Sequence, residues 1–381
     1  MVEKTDTDKK LKFGWTTGAC ATAATKAAFE ALITGVFPNA VTITLPKGQT
    51  PTFSVTNTKL NAGRASAGII KDAGDDPDVT HGATIISTVS WNEDKSNKIS
   101  SVTFKAGPGV GTVTKPGLPI PPGEPAINPV PRELMTKTIE ELAKEHGVNS
   151  NVVIEISVPN GEKIAKSTWN GRLGIVGGLS ILGTTGVVVP YSCSAWIHSI
   201  HRGIDVARAT NTNHIGAAVG NMSEKLIMKT HPLTETDLID MGDFVGGMLK
   251  YLKKNPVPKV TIAGGFAKMS KLAMGEMDLH SKRSQVDKTW LASLLSSLGA
   301  AEEIVNKAKT ANTALEILNL AQENDLEIGT LVAEKAKQSV DQKLDGTTVD
   351  GDEGHKIEIE ILICDRKGKL VGRAANEEFQ A

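Results

Sequence analysis

Cysteine, aromatic side chains and any excess of one charge are scarce in this sequence. Its 381 residues hold three cysteines, Cys20, Cys193 and Cys364. They lie far apart with no C-x-x-C pair, which excludes a disulfide framework or a zinc site and leaves three free thiols. Five Trp, two Tyr and eight Phe are too few for a series of base-stacking platforms. The 42 basic and 43 acidic residues nearly cancel and are interleaved, so no basic stripe awaits nucleic acid or anionic lipid. No apolar run approaches the ~20 residues that span a bilayer, and Met1-Val2-Glu3-Lys4 opens no signal-peptide h-region. The expectation is a cytoplasmic protein with neither nucleic acid nor membrane as partner. G-x-S-x-G, H-E-x-x-H, Walker A and kinase signatures are missing as well, which argues against hydrolase, metalloprotease and phosphotransferase chemistry.

Glycine is plentiful, at 37 residues against a usual share of ~7%, and suits loops that grip a ligand through backbone amides. The length allows two or three layered domains. After a polar start expected to fray, an alanine-rich stretch from Gly18 to Gly35 predicts a helix with Thr16 and Thr17 as cap candidates. Alternation and turn chemistry predict a hairpin from 41–45 and 52–56, then strands at 82–91 and 98–104 flanking a polar turn. Eight prolines and five glycines between Gly107 and Pro131 demand a long irregular loop. A helix over 132–147 follows, and a second hairpin from 152–158 and 162–166. Beyond Pro190 the pattern turns to α/β, with helices at 195–209, 236–253, 285–298, 302–309, 311–322 and 328–343 and strands at 259–263 and 356–364. The predicted fold is an α+β N-terminal domain with mixed or antiparallel strands, residues 1–185. An α/β C-terminal domain, Rossmann-like but atypical, takes residues 186–381.

Several segments carry candidate chemistry. The helix start Thr16-Thr17-Gly18-Ala19-Cys20 suits a carboxylate or phosphate, because its amides are unsatisfied and the helix end is partly positive; a plain N-cap is the alternative. Lys71-Asp-Ala-Gly-Asp-Asp-Pro-Asp-Val-Thr-His81 packs four acids into seven residues, enough oxygen to hold Mg²⁺ or to orient cations and hydroxyls, or simply a surface Asx-turn. Gly107-Pro-Gly-Val-Gly111 has a nucleotide-loop look but runs into a proline tract instead of a helix. The dense glycines from Gly171 to Gly186 allow a backbone to approach a flat ligand, or mark a tight crossing segment. His198 and His201 lie three apart on one helix face without a third ligand in register. Thr261-Ile-Ala-Gly-Gly-Phe-Ala-Lys268, strand, glycines and helix, is a second candidate for nucleotide contact. His280-Ser-Lys-Arg-Ser284 is a small basic cluster or a solvated helix start.

Four long segments, GWTTGACATAATKAA from Gly14, GRASAGIIKDAGDDPDVTHGA from Gly63, GPGVGTVTKPGLPIPPGEPAINPVPRE from Gly107 and NGRLGIVGGLSILGTTGVVVPYSCSAWI from Asn170, together resemble the cobalt-precorrin-5B C1-methyltransferase family of anaerobic cobalamin synthesis. The resemblance is dense over residues 11–210, continues through 264–284 and is only an outline beyond. It implies methyl transfer from S-adenosylmethionine to C1 of a cobalt-containing corrinoid, giving cobalt-precorrin-6A. Cobalt then belongs to the substrate, and no protein-bound metal is expected. A substrate rich in acetate and propionate groups would be held by the Thr16, Thr17 and Gly18 helix end and by Arg64, Lys71, Arg132 and Arg172. Any proton acceptor would come from Asp72, Asp75, Asp76 or His81, with His198 next. S-adenosylmethionine would sit at Gly174, Gly177, Gly178, Gly183 and Thr184, or at Gly264 and Gly265. A homo-oligomer is compatible with this reading. The rival from another class is a non-catalytic carrier of the corrinoid intermediate, which would need no S-adenosylmethionine.

Overall fold

The computed structural model describes residues 11–92, 102–349, 354–376 and 379. The polar N-terminal start, the polar turn before Lys98 and the first part of the strand expected there fall outside the described residues. The chain divides into two compact units that meet between Ser192 and Cys193. The first unit runs past the expected limit at 185 because Val187–Val188 pairs antiparallel with Gly14–Trp15.

In the first unit, helix α1 spans Thr17–Thr34; Thr16 Oγ1 accepts from Ala19 N–H, and Gly35 closes the helix at φ 80°. Its alanines are buried on nearly every side. Small side chains therefore let helix α2, Pro129–His146, and the sheet pack closely against it. A Cβ on Gly18 would fall 2.6 Å from Pro131 Cγ. Helix α2 starts before the expected 132, because prolines in a first turn leave no intrahelical partner unmet.

The sheet of this unit contains β1 (Thr56–Asn61), β2 (Arg64–Ile70), β3 (Thr84–Trp91), β4 (Val102–Ala106) and β5 (Val152–Ser157), in the order β1-β2-β3-β5-β4. Strand β5 is antiparallel to β3 and parallel to β4, so the sheet is mixed. Ala65, Ala67, Ile69, Ile85, Val89, Val152, Ile154 and Ile156 alternate inward and build the core with α1 and α2. The first expected hairpin forms, Ala40–Thr42 against Thr52–Ser54.

The second expected hairpin does not form. Strand β5 has neighbours on both sides, so no edge is left for a return strand. Residues Gly161–Ala165 make a short helix instead. Gly161 is pressed so close to Gly109 that a Cβ would lie 2.2 Å from its carbonyl oxygen.

The second unit has a five-stranded sheet: β6 (His214–Ala218), β7 (Leu238–Asp240), β8 (Lys259–Gly265), β9 (Glu358–Cys364) and β10 (Leu370–Ala375), in the order β7-β6-β8-β9-β10. The first four are parallel, and β10 is an antiparallel edge. Helix α3 (Cys193–Ala209) precedes β6, α4 (Asn221–Thr230) leads to β7, α5 (Val245–Leu252) leads to β8, and α6 (Phe266–Ala273) follows β8. Leu226 and Ile227 of α4 cover one sheet face with Ala218, Leu238, Ala263 and Leu362. The other helices fill the opposite face in the larger core. Thr236–Lys253, expected as one helix, is instead a 3₁₀ turn, strand β7 and helix α5. Its apolar residues have helical spacing, but Gly242 takes φ 54° and breaks the run.

Candidate functional site

The acidic loop, the start of α1 and the end of the glycine segment meet at one end of the first unit. Trp15 N–H donates to the Asp72 carbonyl at 2.8 Å, and Thr16 N–H donates to the Gly186 carbonyl at 3.0 Å. Asp72 lies 2.6 Å from Lys12 Nζ. That hydrogen bond comes first, joined by one from Gly74 N–H, and holds the Asp72 carboxyl below its ordinary range, so it is ionised and a weak base. Asp75 Oδ2 accepts from Lys12 N–H at 2.6 Å, and Asp76 Oδ1 accepts from Tyr191 N–H at 2.8 Å. These acids thus lock a rim to which Lys12 and Tyr191 belong, although neither residue stood out in the sequence. Tyr191 is exposed and has φ 56°, a strained setting for a residue with a side chain.

His81 Nδ1 accepts from Ala73 N–H at 3.1 Å. A neutral ring bonded this way carries its proton on Nε2 and presents a donor outward. As a proton acceptor His81 is therefore poorly poised.

The helix end has little left to offer a ligand. Gly18 N–H donates to the Leu182 carbonyl at 2.9 Å. Thr17 Oγ1 joins Leu182 N–H at 3.0 Å, and all three of Thr16, Thr17 and Gly18 are buried. The amides act as a cap and as a strut for the 182–186 loop. Lys71 is likewise withdrawn, its side chain 1% exposed and paired with Asp78 at 2.7 Å. Arg132 donates to the carbonyls of Ile127 and Pro125 and to the Glu124 carboxylate, and so clamps the proline-rich loop. Arg64 remains half-exposed beside Glu155. It stands at the far end of β2 from the acidic loop, about 20 Å away at strand rise. Arg172 follows Asn170, whose side chain bonds the Gly178 carbonyl and Ser180 and ties the glycine segment to itself.

The glycine segment owes most of its glycines to close packing. A Cβ at Gly178 would lie 2.3 Å from Gly109, one at Gly183 would lie 2.3 Å from Thr16 Oγ1, and one at Gly174 would meet Lys115. Gly177 and Thr184 are exposed. The tight-crossing alternative thus accounts for Gly174, Gly178 and Gly183. Burial pushes the Cys20 thiol up to about 12, which removes it as a nucleophile.

In the second unit, Gly264 and Gly265 end β8. A side chain on Gly264 would strike Met269, whereas one on Gly265 would meet nothing within 4 Å. His198 packs edge-on against His201, whose ring stacks on Tyr251 at 3.9 Å. Burial, and then the charge of His198, lowers the His201 pKa. No group of three His, Cys, Asp or Glu among the described residues is arranged to hold a metal ion. No described helix is long and apolar enough to cross a membrane. The sequence reading missed Ala218-Val219-Gly220, which runs from the end of β6 beside the end of β8, and Asp240 at the end of β7, which pairs with Ala218 on the other side of β6. The only local signal was a glycine after a short apolar run.

Comparison with known proteins gives the following. Residues 4–190 match the family model CbiD, and residues 278–375 match the model CbiD, C-terminal domain. A protein of Brucella anthropi named cobalt-precorrin-5B C(1)-methyltransferase is 56% identical over 370 residues, covering 97% of each chain. Relatives of the same name are 54% identical in Paramagnetospirillum magneticum, over 96% of this chain and 99% of that one, and 53% identical in a Bradyrhizobium species, over 98% and 96%. A crystal structure of the cobalamin biosynthesis protein cbiD from Archaeoglobus fulgidus is 27% identical, covering 72% of this chain and 83% of that one with a TM-score of 0.39.

Proposed function

Since this chain belongs to the CbiD family, we propose that it performs the reaction its relatives are named for, methylation of C1 of cobalt-precorrin-5B. The observation that carries this reading is identity of 56% across 97% of both chains. Substitution at that level preserves an active site far more readily than it replaces one. The methyl donor is S-adenosylmethionine, whose sulfonium supplies an electrophilic methyl and a good leaving group. The electron-rich macrocycle is the nucleophile, so alignment of carbon, methyl and sulfur provides much of the acceleration.

The residues of this chain then bind, orient and exclude water. The acidic rim of Asp72, Asp75 and Asp76, with Lys12 and the outward Nε2–H of His81, supplies donors and acceptors for substrate side chains. Asp72 and Asp75 are the candidate acceptors for a departing proton, and the low pKa of Asp72 suits an orienting role better than strong base catalysis. Cobalt travels with the substrate. The second unit, with parallel strands between helices, is read as a doubly wound nucleotide-binding type carrying an atypical antiparallel edge. Its open glycine at 265 fits the close approach of a donor molecule to backbone.

Anaerobic incubation with labelled S-adenosylmethionine and cobalt-precorrin-5B should add one methyl group by mass spectrometry. Binding of both ligands with no mass gain would replace the enzyme with a corrinoid carrier. Replacing Asp75 and Asp76 together by Asn keeps their acceptor oxygens but removes two charges, and turnover should fall by about tenfold or more. Unchanged turnover and corrinoid binding would take the acidic loop out of the site.

A further inference from the structure

Two glycines of the second unit have no structural reason to be glycine. Gly220 and Gly265, like Gly171 in the first unit, combine a φ outside the left-handed region with empty space where a Cβ would stand, whereas Gly216, Gly246, Gly247 and Gly264 of the second unit each have a neighbour in contact there. Gly220 has φ 169° and Gly265 has φ −71°, both extended backbone. Gly220 lies two residues past the end of β6, and Gly265 ends the neighbouring strand β8. The ladder between β6 and β8 runs to Ala218 opposite Ala263, and Val219 N–H still reaches the Ala263 carbonyl at 3.0 Å. One further step brings Gly220 beside Gly265. A pair of glycines that neither conformation nor packing demands, side by side at strand ends, is explained by something that approaches the backbone from outside the chain.

The topology says where that approach occurs. The chain leaves β6 through α4 towards β7 on one side, and it leaves β8 through α6 towards β9 on the other. The two connections diverge from the carboxyl ends of β6 and β8, the switch point at which open α/β sheets bind their ligands in a crevice. Helix α4 opens at Gly220 with no side-chain cap. The adjoining strand β7 ends at Asp240, twenty residues beyond Gly220, where a carboxylate meets ribose hydroxyls in nucleotide-binding folds. Trp196 Nε1–H donates to the Asp240 carbonyl at 2.9 Å and fixes that strand end. In the glycine segment of the first unit, by contrast, Gly174, Gly178 and Gly183 are filled by the chain itself.

We propose that the adenosyl group of the methyl donor binds in this crevice, lying against the backbone at Gly220 and Gly265 with its ribose hydroxyls bonded to the Asp240 carboxylate. This rests on the methyltransferase reading and assigns the donor to the second unit.

Calorimetry with S-adenosylhomocysteine, which binds but cannot react, tests it on the full chain. Gly220→Val and Gly265→Val add side chains where the fold has room, so each variant should melt like the wild type yet bind at least tenfold more weakly. Asp240→Asn should also lose tenfold or more. The 2′-deoxy analogue of S-adenosylhomocysteine should then bind wild type and Asp240→Asn alike, because the hydroxyl and the carboxylate are one interaction. Wild-type affinity in the two valine variants, or losses from Asp240→Asn and the missing hydroxyl that simply add, would overturn the placement. If the wild type transfers methyl and binds S-adenosylhomocysteine while the variants also bind normally, only the placement fails. A wild type that does neither overturns both the placement and the methyltransferase reading.

Discussion

Lys71 and Asp78 form an ion pair of 2.7 Å with the lysine side chain 1% exposed. Burial pushes the Asp78 carboxyl up, but hydrogen bonds from Lys71 and Thr80 and the charge of Lys71 outweigh it and hold the pKa below its ordinary value. The stabilisation is present above the unfolded carboxylate pKa of about 3.9 and is lost as pH falls below it. Asp78→Ala would leave Lys71 charged and buried, and urea unfolding should show a loss of about 3 kcal/mol. No neighbouring letter distinguishes a lysine that meets solvent from one that meets Asp78, which is why Lys71 reads as ligand-facing in sequence. His214 is a second case. Its Nε2 lies 2.8 Å from Thr261 Oγ1, which donates to the buried Glu360 carboxylate, and His231, Arg373 and Phe379 close the group. Burial first, and the charge of His231 next, lower the His214 pKa to about 4, while Glu360 and Asp237 work the other way and Lys259 adds to the lowering. The neutral ring is favoured in the fold. Its contribution is complete above the unfolded value of about 6.5 and declines as pH falls from there to about 4. The melting temperature should drop over that window, and His214→Gln should flatten the drop. An equal slope in the variant would assign it to other groups.

At the scale of elements, α1 was legible in the sequence because cap, alanine run and terminal glycine all agree. What the run did not tell is that its smallness is spent on contact with α2. Gly18→Val places methyl groups against Pro131 and should cost about 1–3 kcal/mol, read from thermal or denaturant unfolding. The failed hairpin after β5 teaches the complementary point. A Pro-x-Gly turn between apolar runs is a local signal, and it is overruled when both edges of β5 are already paired. Strand β1 escaped notice for a related reason. It is an exposed edge whose polar residues show no alternation. The segment 107–131, expected to be irregular throughout, is held by short pairings of Gly109–Val110 with Gly178–Leu179 and of Thr112–Val113 with Ile175–Val176, and by Arg132, which bonds two carbonyls and a carboxylate within it. Arg132→Met should keep the helix but raise the rate of limited proteolysis within 113–127.

Across the whole molecule, the donor placement predicts a pattern of protection. With S-adenosylhomocysteine at a hundred times its Kd the protein should gain about 2.7 kcal/mol of stability. Hydrogen exchange should slow at 218–224, 238–242 and 264–268. Slowing confined to 174–186 would return the donor to the first unit. The sequence by itself determined the family, the glycine-rich character, the free thiols and the helices whose periodicity and caps agree, because these depend on residue type and short-range order. Only the tertiary structure decided which of the singled-out residues remain available. Lys71, Arg132 and the Thr16 and Gly18 amides are consumed by partners distant in sequence or by the loops they clamp, Gly178 by backbone lying against it and Gly183 by the Thr16 side chain. It alone set Gly220, Asp240 and Gly265 at neighbouring strand ends. Strands β6 and β7 are too short, and too buried to alternate, for any periodicity to announce them.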